Sequence, residues 1–306
     1  MPEFEYHRPV MLAEALDGLR IRPDGTYVDV TFGGGGHSRA IMSLLGEGGR
    51  LLAFDQDVDA AANVIADERF TFINENFRYL KSFLRLHGVR RVDGVLADLG
   101  VSSHQFDVAE RGFSTRMEGV LDLRMDRRGE ETAADLVNSL GEEELGRLLK
   151  LYGELPNARQ MAKAIVRARA DKAIATTTDL KEAVRHHLPR GMENKYLAML
   201  FQALRIEVNG ELEALKELLQ QACEVLSPGG RLVVISYHSL EDRLVKNFMK
   251  SGNFEGEVEK DFYGNVLSPM RMVSRGAVQA GETELAENNR ARSARLRVAE
   301  KVMVKV

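Results

Sequence analysis

Tyr27-Val28-Asp29-Val30-Thr31-Phe32-Gly33-Gly34-Gly35-Gly36-His37-Ser38 is the stretch from which the rest of the chain is read. Apolar and β-branched residues run straight into consecutive glycines, and Arg39–Leu45 continues with helix-compatible residues. Strand, tight turn and helix start thus follow one another in order. Glycine has no Cβ and tolerates φ > 0, so such a loop lets backbone approach a ligand closely. The helix that follows contributes free N–H groups at its N-terminus. A dinucleotide fingerprint would place a further glycine where this chain has Ser38. The loop therefore marks either a ligand site or a bare β–α turn, and leaves the ligand open.

Working outward, 306 residues suffice for one large domain, or for one domain with a substantial insert. Apolar residues make up 44% and charged residues 29%, a globular profile. Cys223 is the single cysteine, which excludes an internal disulfide and fits a reducing cytosol. No apolar run approaches the ~20 residues of a membrane span. The N-terminal stretch, with Glu3, Glu5, His7, Arg8 and Pro9, does not read as a secretory signal. A net charge of −4 means that any nucleic-acid partner must be held by local patches.

After the glycines, Arg50–Asp55 reads as a second strand ending in an acid ~20 residues on, where a nucleotide fold places a ribose-binding carboxylate. Asp55 fits that role, with Asp57 or Asp59 capping an expected helix over Ala60–Ala66. Phe70–Asn74 is a third strand. Phe77 behind it reads by residue type as a loop anchor. Val92–Gly100 is a fourth strand, apolar enough to be buried on both faces. Ligands in such sheets bind beyond the carboxyl ends of the strands, which places Asp98, Ser102 and Gln105 to meet one.

The alternation of strand and helix stops near residue 106. Residues 107–205 carry only helical patterns and loops, including helices over Asp135–Ser139, Glu142–Tyr152, Asn157–Lys172, Asp179–His187 and Glu193–Gln202. Arg159, Lys163 and Arg167 recur at i, i+4, i+8, a basic stripe that is either a solvated face or a nucleic-acid contact. From Glu211 to Leu226 an amphipathic helix runs into Ser227-Pro228-Gly229-Gly230 and a fifth buried strand, Arg231–Tyr237. His238 and Ser239 follow it. A last strand covers Ala294–Val302, and Arg290, Arg292, Arg295 and Arg297 form a second basic patch that is either a phosphate contact or a solvated face. The expected architecture is α/β: a doubly wound sheet built from 1–106 and 206–306, with an all-helical insert at 107–205.

The helix–Ser227-Pro228-Gly229-Gly230–strand step resembles the Rossmann-like methyltransferases that use S-adenosylmethionine, which favours methyl transfer over hydride transfer. Eight segments then make the resemblance specific: His7–Val10, Thr31–Ser38, Asp98–Gln105, Glu110–Ser114, Leu121–Asp126, Phe201–Glu213, His238–Lys246 and Glu287–Arg297. Together they resemble the bacterial 16S rRNA (cytosine-N4) methyltransferase family, the small-subunit methylase H or MraW family. His104 and Asn289 stand where the family pattern has proline. The resemblance implies a Rossmann-like class I S-adenosylmethionine methyltransferase sheet and S-adenosyl-L-methionine as cofactor; no metal is expected, since the sequence carries no metal-ligand cluster and methyl transfer needs none. It also implies a cytosine of the decoding region of 16S rRNA as substrate, within the small ribosomal subunit and in the cytoplasm. It implies cofactor contacts at Gly35, Gly36, His37, Asp55, Phe77, Asp98 and Gln105, moving Phe77 from anchor to cofactor neighbour. Many amino-methyltransferases carry Pro-Pro-aromatic after strand four, where this chain has Asp98-Leu99-Gly100-Val101-Ser102-Ser103. The acceptor of the amine proton is therefore open among Asp98, Ser102, the backbone carbonyls of that loop, His238 and Ser239. An RNA-binding assembly factor without catalysis is the competing class, and the intact glycine loop with Asp55 and Asp98 argues against it; a methyltransferase acting on protein or small molecules is the third reading.

Overall fold

The computed structural model describes residues 9–264 and 266–302, so His7 lies outside the described residues. The chain divides into two compact units, 1–100 with 212–306, and 101–211.

The first unit is built on seven strands, β1 (Thr26–Asp29), β2 (Arg50–Phe54), β3 (Phe70–Ile73), β4 (Val92–Asp98), β5 (Leu226–Ser236), β6 (Met270–Met272) and β7 (Arg295–Lys301), in the order β3-β2-β1-β4-β5-β7-β6. The first five pair in parallel, and β7 runs antiparallel to both β5 and β6. Parallel pairing demands crossover segments, which cover both faces and explain the near-continuous apolar strands. The period of two sorts the side chains: Val28, Leu52, Val95 and Val234 pack with Leu215, Leu218 and Leu219 of the helix Glu211–Val225. Tyr27, Leu51, Leu96 and Val233 face the other way, against Ala15 and Leu19 of the helix Leu12–Leu19 and Ile41 of the helix Gly36–Leu44. Strand order reverses between β1 and β4, so the loops leaving their carboxyl ends border one crevice.

Three local expectations are corrected. No α-helix forms over Ala60–Ala66; a 3-10 turn spans Val58–Asn63 and the backbone is extended at Val64. Side chains hold it tight: Asp57 accepts the Asp59 N–H, and the Asn63 amide donates to the Gly33 carbonyl at 3.1 Å. β5 starts at Leu226, before the expected Arg231, because Leu226 pairs with Val92 and Arg231 with Gly94 while Ser227–Gly230 bulge between them. The helix expected to end at Gln202 continues to Asn209, where Gly210 stops it at φ 56°. β6, a strand of three residues, carries too little alternation to be seen in sequence.

The second unit is helical, with Ala133–Ser139, Glu142–Gly153, Ala158–Asp171, Thr177–Val184 and Glu193–Asn209 around a core of Leu145, Leu149, Met161, Ile165, Leu200 and Leu204. Arg111, only 1% exposed, is its buried peg. Its guanidinium donates to the carbonyls of Arg124 and Met125, both at 3.1 Å, and lies over the Phe113 ring. The segments Glu110–Ser114 and Leu121–Asp126 are thereby tied together. Arg111→Ala would leave interior carbonyls without a donor, and a loss of about 3 kcal/mol or more is expected in urea unfolding of this unit.

Candidate active site

The glycine loop is pinned from three sides. Val30 donates its N–H to Leu96 of β4, and Phe32 donates to Phe54 of β2. The Gly33 N–H donates to Asp55 Oδ2 at 2.7 Å. Gly35 adopts φ 76°, and a Cβ there would run into the Arg39 guanidinium and the Phe32 ring. A Cβ on Gly36 would strike Pro9. Gly35 and Gly36 are thus required by backbone shape and by close packing, whatever the loop binds.

Three carboxylates stand at strand ends around this loop. Asp29 closes β1 and is buried, accepting the Ser38 hydroxyl at 2.7 Å and the Thr31 N–H at 3.1 Å. Burial raises its pKa, opposed by the charge of His37. Asp55 follows β2 and accepts the Asp57 N–H at 2.9 Å in addition to that of Gly33. Burial pushes it up to about 6 despite these two donors, and the charges of Asp57 and Asp29 push the same way. Asp98 closes β4. Its N–H donates to Thr31 Oγ1, and its Oδ1 accepts the Tyr237 hydroxyl at 2.7 Å. Burial raises it to about 6, with His37 and the Tyr237 hydrogen bond working against that rise.

His37 links the loop to Asp98. Its Nε2 lies 3.1 Å from the Val10 carbonyl, which can only accept, so Nε2 carries a hydrogen. Nδ1 then faces Asp98 Oδ2 at 3.8 Å. Tyr237, at the end of β5, is held neutral: burial and the neighbouring Asp98 charge raise its phenol well above the ordinary value. A chain of contacts therefore runs from Val10 through His37 and Asp98 to Tyr237. Several carboxylates drawn together out of water, with few cations beside them, make a site that favours a cationic ligand.

The other expected residues fall as follows. Phe77 opens a 3-10 turn capped by Asn76 and packs, half-buried, against the sheet core beside the loop that follows β2, to which Asn76 bonds through Gln56. In the second unit, Ser102 and Gln105 cap the helix Ser103–Asp107 reciprocally, the Gln105 Oε1 accepting the Ser102 N–H at 3.0 Å. His238 caps the helix Ser239–Ser251, its Nδ1 accepting the Glu241 N–H at 3.4 Å while Nε2 stands 3.2 Å from Glu241 Oε1. Ser239 is the exposed first residue of that helix. Arg159, Lys163 and Arg167 are exposed along one face of Ala158–Asp171, opposite the buried Met161, Ala162 and Ile165. Arg290 and Arg292 lie in the 3-10 segment Asn289–Ser293, the first half-buried and the second exposed.

Tyr237, Asp29, Thr31 and Ser38 escaped the sequence reading as site residues. Three of them lie inside the opening glycine stretch, and a polar side chain in an otherwise buried strand end was the available signal.

No helix among the described residues is long and apolar enough to cross a membrane. Residues 4–302 match the model of the MraW methylase family. Over 299 residues the chain is 58% identical to a protein of Bacteroides thetaiotaomicron named ribosomal RNA small subunit methyltransferase H, covering 98% of each chain. Proteins of the same name from Flavobacterium johnsoniae and Parabacteroides distasonis are each 58% identical over 298 residues, covering 97% of this chain and 98% of theirs. The methyl donor of such a methylase is S-adenosylmethionine, a sulfonium cation with an ammonium group, and the anionic crevice at the glycine loop suits it. The doubly wound sheet is accordingly a class I S-adenosylmethionine methyltransferase sheet, and the chain belongs to the MraW methylase family.

Proposed function

We propose that this chain methylates N4 of a cytosine in the decoding region of 16S rRNA, on the small ribosomal subunit and in the cytoplasm. The near full-length identity to proteins named ribosomal RNA small subunit methyltransferase H carries the rRNA part of this reading. The motif resemblance carries the cytosine-N4 part. The motif resemblance supports cofactor contacts at Gly35, Gly36, His37, Asp55, Phe77, Asp98 and Gln105, and the exposed basic stripe Arg159, Lys163 and Arg167 supports an RNA contact.

S-adenosylmethionine, when bound, supplies an already activated methyl group. What this chain must do is align the amine and take its proton. The exocyclic amine of cytosine is a poor nucleophile because its lone pair is delocalised into the ring. An acceptor on its N–H localises that pair as the N–C bond forms and the C–S bond breaks. Asp98 is our acceptor: it sits at the switch point of the sheet, and Tyr237 occupies only one of its lone-pair positions. Burial holds it near pH 6, so at neutral pH it is ionised and still basic enough to accept a proton. His238 is committed to a helix cap and Ser102 to another, which leaves them less free for the task. The base must also leave its stack to reach the crevice, which favours an unpaired or remodelled rRNA site.

The deciding experiment supplies label from the methyl group of S-adenosylmethionine to naked rRNA, assembled small subunits and total protein in parallel. Label in rRNA, mapped to N4 of cytosine, is expected. Label confined to protein overturns the reading. Charge reversal of Arg159, Lys163 and Arg167 together should weaken rRNA binding at least tenfold and flatten its salt dependence. Cofactor affinity should stay unchanged, and equal loss of both would indicate misfolding instead.

A further inference from the structure

Beside the reaction site the same unit holds a cavity of about 170 Å³, lined by Tyr237, Ser239, Gln279, Arg292, Ser293 and Arg295, with His238 and Ala294 completing its wall. Its chemistry is one-sided. Among the described residues, two guanidiniums, two serine hydroxyls, a phenol, an imidazole and an amide line it, and no acidic residue does. Cytosine would need an acceptor for its amine hydrogens, whereas this wall offers mainly donors.

The charge balance points the same way. Asp242 is the carboxylate nearest Arg295, which donates to its Oδ2 at 3.2 Å. That carboxylate is already matched by Arg297, whose Nε and Nη2 donate to its two oxygens at 2.7 and 3.0 Å from a buried position. Two guanidiniums share one negative charge, so a positive charge is left over at the rim, where the Arg295 side chain is 52% exposed. Arg292 adds another: it is exposed and makes no ion pair among the described residues.

Tyr237 belongs to both places. It is one of the residues that line this cavity, and its hydroxyl donates to Asp98. We propose that the cavity holds a backbone phosphodiester of the substrate RNA next to the target nucleotide, gripped by Arg292 and Arg295 with the Ser293 hydroxyl and the Gln279 amide. The proposal rests on the rRNA reading above and adds to it an anchor on the sheet unit itself, separate from the basic stripe of the helical unit. Anchoring the backbone one residue away from Asp98 fixes where a displaced base can swing, which is what a positioned reaction needs.

The test uses the full chain and a fluorescently labelled fragment of decoding-region rRNA. Arg292→Ala should weaken binding roughly tenfold near physiological salt and reduce the salt slope by about 0.7–0.9, the signature of one lost phosphate contact. Calorimetric affinity for S-adenosylmethionine and the melting temperature should not move, since Arg292 is exposed. A methylphosphonate scan of the fragment should then find one linkage beside the target cytosine whose neutralisation weakens the wild type about as much, with no further loss in Arg292→Ala. Unchanged affinity and slope in Arg292→Ala, or losses that add at every linkage, overturn the cavity assignment. A wild-type protein that binds S-adenosylmethionine but no rRNA overturns the rRNA reading itself.

Discussion

Asp98→Asn is expected to lower the rate of methyl transfer about 10²–10⁴-fold while leaving the protein folded and, above pH 6, more stable. The side chain is nearly isosteric, and its oxygen still accepts from Tyr237. The nitrogen that replaces Oδ2 faces His37 Nδ1 across 3.8 Å. What is lost is the negative charge and the capacity to take a proton. Stability moves the other way because burial raises the Asp98 pKa from 3.8 to about 6 in the folded protein. The native state therefore holds a proton that the unfolded chain has released between those values. Stability falls as pH rises through that window and stays lowered above it, by up to about 3 kcal/mol. The asparagine variant escapes this cost above pH 6 and gains nothing below pH 4. Single-turnover transfer of labelled methyl, with melting curves at both pH extremes, checks both halves. A variant with activity within a factor of ten of wild type would remove Asp98 from the role of acceptor. Tyr237→Phe, which keeps the carboxylate but frees one of its oxygens, should lose much less.

This carboxylate was legible in sequence because position along a strand is a local property. Val92–Asp98 is an apolar run that ends in an acid, and the end of a buried parallel strand is where ligands bind. Tyr237 has the same local signature, an apolar run ending in a polar ring, but its meaning depends on β5 lying beside β4. That neighbourhood joins residues 139 positions apart, and no spacing rule reports it. The glycine loop is a middle case. Its glycines announce a turn, while the blocking of Gly36 by Pro9 and of Gly35 by Phe32 and Arg39 needs the packed structure. Arg111 was hidden for another reason. Arginines are ordinarily exposed, and only the facing carbonyls of Arg124 and Met125 make burial of this one tolerable. The missed 3-10 turn at Val58–Asn63 follows the same logic, since Asp57 and Asn63 draw the backbone away from the regular helix that the alanines favour.

Asp55→Ala should weaken S-adenosylmethionine binding by a factor of about 100, more than removal of one neutral hydrogen bond would, because two effects combine. The first is direct, since a carboxylate at the end of β2 would accept hydrogen bonds from the ribose of the bound cofactor. The second is structural: Asp55 ties the Gly33 N–H to the Asp57 N–H, so its loss also slackens the loop that borders the ligand. pH separates the two. In the free protein Asp55 and Asp98 are both raised to about 6, by burial first of all. A ligand that brings ribose hydroxyls to one and positive charge near the other stabilises their ionised forms and draws both values down. Binding near pH 6 must then release protons, up to about one in total, and affinity must rise as pH increases from 5 to 7. Calorimetry in buffers of different ionisation enthalpy reads that release directly. Asp55→Ala should release about half as many protons as wild type, and Asp55→Asn should do the same while keeping more of the loop in place. If alanine and asparagine bind equally weakly, contact with the ribose dominates. If asparagine recovers most of the affinity, the loop does. Binding that releases no protons at pH 6 would show that neither carboxylate meets the cofactor.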